Sequence, residues 1–307
     1  VNERFPVHPL PPRRRRRAAG VAAASALALL ALAGCSSDQV ARGYLPGDSA
    51  NEVTDETGRI LSLWVGSWIA ALLVGIITWG LILWCVARYR KRKDDDVLPV
   101  QLRYHVPLEI MYVILPILMV GVLFYYTARD NHEIMSEDDP VDLNVQVVAK
   151  QWSWDFNYLD DGVYETGQQA QEVGAEGSLA EQVTLYLPVD ERVQFTLNSR
   201  DVIHSFWIPA FLFKMDVFPG DTTNSFQVTP TKEGDYVGKC AELCGEYHAS
   251  MLFNVKVVSR EEYDAHMEEL RDLGQTGSLG VDVSRVQSLD SVRRNGEAVE
   301  GTVGEEG

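Results

Sequence analysis

Residues 240–251 read Cys-Ala-Glu-Leu-Cys-Gly-Glu-Tyr-His-Ala-Ser-Met, so Cys240, Cys244, His248 and Met251 fall on one short stretch. His204 lies 36 residues before Cys240, among apolar residues. Two thiols, two imidazoles and a thioether form a soft donor set, and soft sulfur with imidazole favours copper over magnesium or calcium. His, Cys, His and Met alone would make a mononuclear blue-copper electron-transfer site. The second Cys changes that chemistry. Two thiolates at i and i+4 on a tight loop can bridge two metals, each taking one His, with Met251 and a backbone carbonyl as weak axial ligands. Sharing an unpaired electron across both metals keeps geometric change small, which favours fast electron transfer.

Other chemistries use some of the same residues. A Cys240–Cys244 disulfide fits an oxidising compartment but leaves His204, His248 and Met251 without a role. A tetrahedral Cys2His2 zinc site leaves Met251 without one. A c-type haem needs Cys-x-x-Cys-His, which the chain lacks.

The elements that must hold these residues read as all-β. Runs with strand character occur at 141–149, 152–158, 183–188, 192–198, 202–208, 224–229, 235–239 and 251–258, most of them separated by Gly, Pro, Asp or Asn. Short strands at this spacing predict an antiparallel sandwich or barrel over 129–259. Residues 160–182 carry six acids, several Gly and Gln and few large apolar side chains, which predicts an exposed inserted loop. Residues 260–273 look helical, and 274–307 read as a flexible acidic tail.

Ahead of this domain lie two apolar runs. Ile60 to Ala87 holds 28 residues without a charge, more than the roughly 20 that cross a bilayer. Trp64, Trp68, Trp79 and Trp84 lie near its ends, as in an interfacial belt. Residues 110–128 give a second uncharged run of 19, with Pro116 inside. Between the runs stand Arg88, Arg90, Lys91, Arg92, Lys93 and Arg103, so the positive-inside rule places 88–105 in the cytoplasm. Residues 60–128 thus read as a two-span membrane hairpin, presenting the β domain on the outer face.

Arg13 to Arg17 precede an uncharged Ala/Leu stretch that ends Leu32-Ala33-Gly34-Cys35. A basic region, a short apolar region and small residues at the end make a secretory signal over 1–34. The ending resembles a bacterial lipobox, with Cys35 as the lipidated residue, although a plain signal cut near Gly34 would leave Cys35 unmodified; an external segment over 35–59 follows. The formal net charge is −17, but residues 1–128 carry +4 and 129–307 carry −21. An acidic outer domain argues against nucleic acid as a partner, because phosphate needs a basic face.

The pattern Cys240-x-Glu242-x-Cys244-x3-His248-x2-Met251, with Asp201-Val-Ile-His204-Ser, closely resembles the copper A site of cytochrome c oxidase subunit 2. Gln151-Trp152-Ser-Trp154 and Lys214-Met-Asp216-x2-Pro219-Gly220 extend the resemblance, which runs from about residue 60 to about 258. It implies a membrane-anchored α+β chain: the hairpin, then a cupredoxin domain, a Greek-key β-barrel. It implies that Glu242 binds copper through its backbone carbonyl while its side chain reaches a magnesium ion at the subunit 1 interface. Trp152 would be where electrons arrive from the donor cytochrome c, although alternating aromatics in a strand fit a plain core as well on pattern alone. Glu109, in Pro107-Leu-Glu109-Ile-Met, would stand at the entrance of a proton-uptake channel, although an ordinary acid at a helix N-terminus has the same pattern. The resemblance further implies haem-bearing subunit 1 and subunit 3 as partners, oxygen reduction to water on subunit 1 and coupled proton translocation. The lipobox and the insert are similar to the actinobacterial branch, whose donor would be a membrane-bound dihaem cytochrome c of a bc1 complex. Two rival classes are weighed by the same residues. A copper-carrier lipoprotein would explain the soft donors but not the hairpin, Glu109 or the aromatic run. A quinol oxidase subunit 2 would be expected to lack the two cysteines.

Overall fold

A computed structural model describes residues 36–46, 52–90, 101–170 and 182–281. The signal segment 1–34, Cys35 and residues 282–307 of the tail lie outside them. The chain divides into two compact units, 1–45 and 46–307. In the first, a short helix α1 (Ser37–Ala41) is capped by Ser36, whose Oγ accepts from Gln39 N at 3.1 Å.

In the second unit, helices α2 (Thr57–Arg88) and α3 (Val106–Ile134) contain the two uncharged runs. Both are long and apolar enough to cross a membrane. Each extends past its apolar run because its ends find polar partners. Before α2, Thr54 N donates to Thr57 Oγ1 at 3.2 Å, and Thr57 Oγ1 donates to Thr54 O at 2.7 Å. At the start of α3, His105 Nδ1 accepts from Leu108 N at 3.3 Å, and Pro107 occupies the first turn, where its missing N–H costs nothing. Near the sandwich, Arg59 and the buried Asp130 approach to 3.8 Å and tie the two helices together.

Among the described residues the β domain is two five-stranded sheets. The first has the order β3–β2–β1–β5–β8, with β1 Leu143–Lys150, β2 Ser153–Tyr158, β3 Val163–Thr166, β5 Val193–Ser199 and β8 Asn224–Val228. The second has the order β4–β10–β9–β6–β7, with β4 Thr184–Pro188, β6 His204–Ile208, β7 Phe213–Val217, β9 Gly234–Cys240 and β10 Leu252–Val258. Pairing is antiparallel except for β1 with β5 and β4 with β10. Edge strands β7 and β8 approach one another, with Asn224 Nδ2 donating to Asp216 O at 2.8 Å, so the sandwich is half closed on that side.

Alternation builds the core. Trp154, Phe156 and Tyr158 of β2 point inward, as the period of two requires. They meet Phe195, Phe206 and Phe253, all essentially buried. The Phe206 and Phe253 rings stack at 5.0 Å, and Trp154 packs edge-on to both. Tyr158 Oη accepts from Tyr186 N at 2.9 Å and bonds one sheet to the other. Helix α4 (Arg260–Asp272) is capped by Ser259 Oγ and lays Tyr263, Met267 and Leu270 onto the core.

Two expectations are corrected. Residues 160–182 are not wholly an exposed loop: 163–166 form β3, with Val163 and Tyr164 buried, because pairing with β2 gives this short run a ladder. Residues 171–181 lie outside the described residues. Nor is the start of the tail free. Gln275 is buried, and Thr276 bridges Val163.

Candidate metal centre

The donors converge because two strands end side by side. β9 delivers Cys240, β6 begins at His204, and the two strands pair with Phe206 opposite Cys240. Ala241 N donates to Ser205 O at 3.0 Å, holding the start of the ligand loop against β6. The loop leaves β9 after Cys240, makes a single 3-10 turn over His248–Ser250 and enters β10 at Leu252. Its base is closed by Cys240 N donating to Met251 O at 3.0 Å, which sets Met251 beside the cysteines.

The resulting cluster is tight. The two sulfurs are 3.7 Å apart, and both thiols are free. Cys240 Sγ lies 3.8 Å from His204 Nδ1 and 3.2 Å from the Glu242 carbonyl oxygen. Cys244 Sγ lies 3.5 Å from His248 Nδ1 and 3.7 Å from Met251 Sδ. His204, Cys240, Cys244 and Met251 are buried. Glu242 is exposed, next to Leu243, which is 78% exposed.

The residues present fit a thiophilic cation. As thiols the pair behaves asymmetrically. The contact with Cys244, helped by His204 and opposed by burial, lowers the Cys240 thiol well below the ordinary thiol range. The same shared contact, reinforced by burial, pushes Cys244 far above the ordinary thiol range. Two adjacent thiolates therefore need cationic charge beside them, which a coordinated metal provides. Met251 Sδ against Cys244 adds a thioether, which suits copper better than zinc.

Residues outside the ligand set hold it in place. His204 Nε2 lies 2.8 Å from Asp201 Oδ1, leaving Nδ1 to face Cys240. Burial opposes charge on His204, but Asp201 and Cys240 outweigh it and raise its pKa. Asp201 Oδ2 accepts from Gln151 N at 2.7 Å. Gln151 Nε2 and Trp152 Nε1 both donate to the Cys244 carbonyl, at 2.7 and 3.2 Å. Trp152 is half-buried, precedes β2 rather than belonging to it, and packs edge-on against Tyr247 at 4.8 Å. Gly245 lets it do so: its φ is +123°, and a Cβ there would stand 3.0 Å from the indole. Sequence reasoning missed the roles of Gln151 and Asp201. The spacing Asp201-x-x-His204 was the one available signal for an acid orienting a histidine ligand.

Glu109 is placed elsewhere, at the far end of the 29-residue α3 from the sandwich. Its Oε1 accepts from His105 N at 2.9 Å, so it caps its own helix. Cys35 lies outside the described residues.

The fold and site together define a class: two membrane-length helices joined to a two-sheet domain with a soft-ligand loop. The family described as "Cytochrome C oxidase subunit II, periplasmic domain" matches residues 143–258. A Streptomyces coelicolor protein described as "Probable cytochrome c oxidase subunit 2" is 43% identical over 291 residues, covering 85% of this chain and 89% of that protein. Cytochrome c oxidase subunit 2 of Mycobacterium tuberculosis is 32% identical over 301 residues, covering 82% of this chain and 81% of that one. The solved periplasmic domain of subunit II of cytochrome oxidase from Bradyrhizobium japonicum is 31% identical, covering 44% of this chain and 96% of its own, with a TM-score of 0.40. The chain belongs to the cytochrome c oxidase subunit 2 family, whose members are components of an oxidoreductase complex.

Proposed function

We propose that this chain is the electron-accepting subunit of an aerobic respiratory oxidase, taking single electrons from a cytochrome c and handing them to the haem of subunit 1. Oxygen reduction to water, coupled to proton translocation, then takes place on subunit 1. The observation that carries this reading is the Trp152 indole bonded to the carbonyl of Cys244 inside a ring of soft donors. His204, Cys240, Glu242 through its carbonyl, Cys244, His248 and Met251 would hold a dinuclear copper centre. That centre supplies a one-electron carrier when bound. The protein's own contribution is rigidity: buried ligands, a fixed His204 ring and a loop pinned by Gln151 and Trp152.

In the same reading, residues 88–105 face the cytoplasm and the sandwich faces outward, because the basic residues cluster between the helices. The −21 of residues 129–307 then suits steering of a basic donor, and a membrane-bound dihaem cytochrome c remains the candidate. Cys35 is the proposed lipid attachment after removal of 1–34. The exposed Glu242 carboxylate is free to meet a magnesium ion at the subunit 1 contact, and subunit 3 completes the assembly. Glu109 at the proton-uptake entrance competes with its capping role, and turnover unchanged by Glu109→Gln would leave only the cap.

Copper counting and electron paramagnetic resonance on the full chain test the centre. Two coppers per chain with a delocalised mixed-valence signal support it. One copper with a blue-type spectrum, or one zinc, overturns it.

A further inference from the structure

The outer face of the β3–β2–β1–β5–β8 sheet is sealed where β2 crosses it. Ser153, Asp155 and Asn157 point away from the core, yet all are buried. Ser153 lies against Gly167, and the segment after α4 covers Asn157. Tyr164 N donates to Gln275 O at 3.1 Å, and Gly277 N donates to Gly162 O at 2.7 Å. Leu279 N donates to Asn157 Oδ1 at 2.8 Å, and Asn157 Nδ2 returns a bond to Leu279 O at 3.0 Å. The strap then reaches Arg200, whose Nε donates to the Gly280 carbonyl at 2.9 Å.

Arg200 belongs to a buried ionic cluster. Its Nη1 is 2.8 Å from Asp155 Oδ2, and Lys150 Nζ is 2.6 Å from Asp155 Oδ1. Thr166 Oγ1 accepts from Lys150 and donates to the same carboxylate. The three charged side chains are at most 3% exposed. Two cations around one carboxylate are costly away from water, the more so as Arg200 Nη2 finds no hydrogen-bond partner among the described residues, and each donor that does find an acceptor lowers that cost. The strap supplies one, at Gly280.

This cluster joins two turns that both touch the ligands. Lys150 ends β1 and is followed by Gln151 and Trp152, which hold Cys244. Arg200 follows β5, its backbone N donates to Ala149 O at 3.0 Å, and the next residue is Asp201, which holds both His204 and Gln151. We propose that the strap over residues 275–280 is a positioning element of the metal centre, acting through Arg200 to hold these two turns against Cys244 and His204. The placement stands on protein contacts alone. Its consequence for the metal rests on the copper reading above.

The test compares the full chain with a chain ending at Gly274, and with Asn157→Ala and Arg200→Lys in the full chain. Asn157→Ala removes the Leu279 bonds and one bond to Gln146 Oε1, and leaves the contacts within the ionic cluster in place. Arg200→Lys keeps the charge but loses the fork that reaches Asp155 and Gly280 together. Hydrogen exchange before copper loading reads the Gln151 amide, which Asp201 protects. All three variants should exchange it about tenfold faster by local opening. After loading, they should lose copper to a chelator about tenfold faster and show an altered copper hyperfine pattern. A merely structural strap would lower the melting temperature but leave the Gln151 exchange, the copper loss and the spectrum at the wild-type values, and that result overturns the proposal. If the shortened chain does not fold, the two substitutions decide by the same measures. A wild-type chain that binds no copper pair sinks the copper reading, and the exchange comparison still decides the strap.

Discussion

The indole Nε1 of Trp152 donates to the backbone carbonyl of Cys244 at 3.2 Å, across 92 residues of sequence. One bond thus links a half-buried ring to the peptide of a buried cysteine in the ligand loop. Substitutions here separate two roles. Trp152→Phe keeps a ring but loses the donor, and should cost about 1 kcal/mol of stability, the worth of one hydrogen bond. Trp152→Ala also removes the ring from Tyr247, and should slow electron uptake from the native cytochrome more than Phe does. Stopped-flow reduction of the assembled oxidase checks this; equal, wild-type uptake in both would remove Trp152 from the route.

Asp201 orients His204, so Asp201→Asn should keep the shape while losing the carboxylate that fixes the ring. Loss of such an outer partner typically weakens metal binding by about 10- to 100-fold. Copper retention during dialysis against a chelator measures it, and an unchanged retention curve would argue that Asp201 only shapes the turn.

Gly238 is buried in β9 beneath the Phe253 ring. A Cβ there would come within 1.9 to 2.4 Å of ring atoms. That ring is stacked on Phe206 and packed by Trp154, so it has little room to retreat. Gly238→Ala should cost about 1–3 kcal/mol through overpacking, read by denaturant unfolding. Because β9 ends in Cys240, copper binding should weaken with it.

Two buried phenols predict an alkaline limit. Burial raises both Tyr158 and Tyr263 above the ordinary phenol range. Below pH about 10 neither group affects the balance, since both states are protonated. Above it the unfolded chain releases the protons while the folded chain keeps them, so stability falls by about 1.4 kcal/mol per pH unit for each phenol. Tyr263→Phe should remove one phenol's share of that slope. Parallel slopes for the variant and the wild type would show that Tyr263 titrates normally.

Much of the centre is legible in the chain itself because four of its donor side chains come from one loop. Cys240, Cys244, His248 and Met251 are close in sequence, so residue type and spacing reveal their chemistry without a fold. The apolar runs declare two membrane-length helices for an equally local reason, and the alternation of Trp154, Phe156 and Tyr158 declares an inward face. What tertiary structure decides is everything that depends on distant partners. His204 reaches Cys240 only because β6 pairs with β9. β3 is a strand because β2 offers it a ladder, although its own residues read as loop. Lys150, Asp155 and Arg200 would each be assigned to the surface on charge alone. They are buried because charges from the end of β1, the middle of β2 and the turn after β5 meet in one place and the segment at 275–280 shuts out water, a balance of desolvation against pairing that no local pattern records.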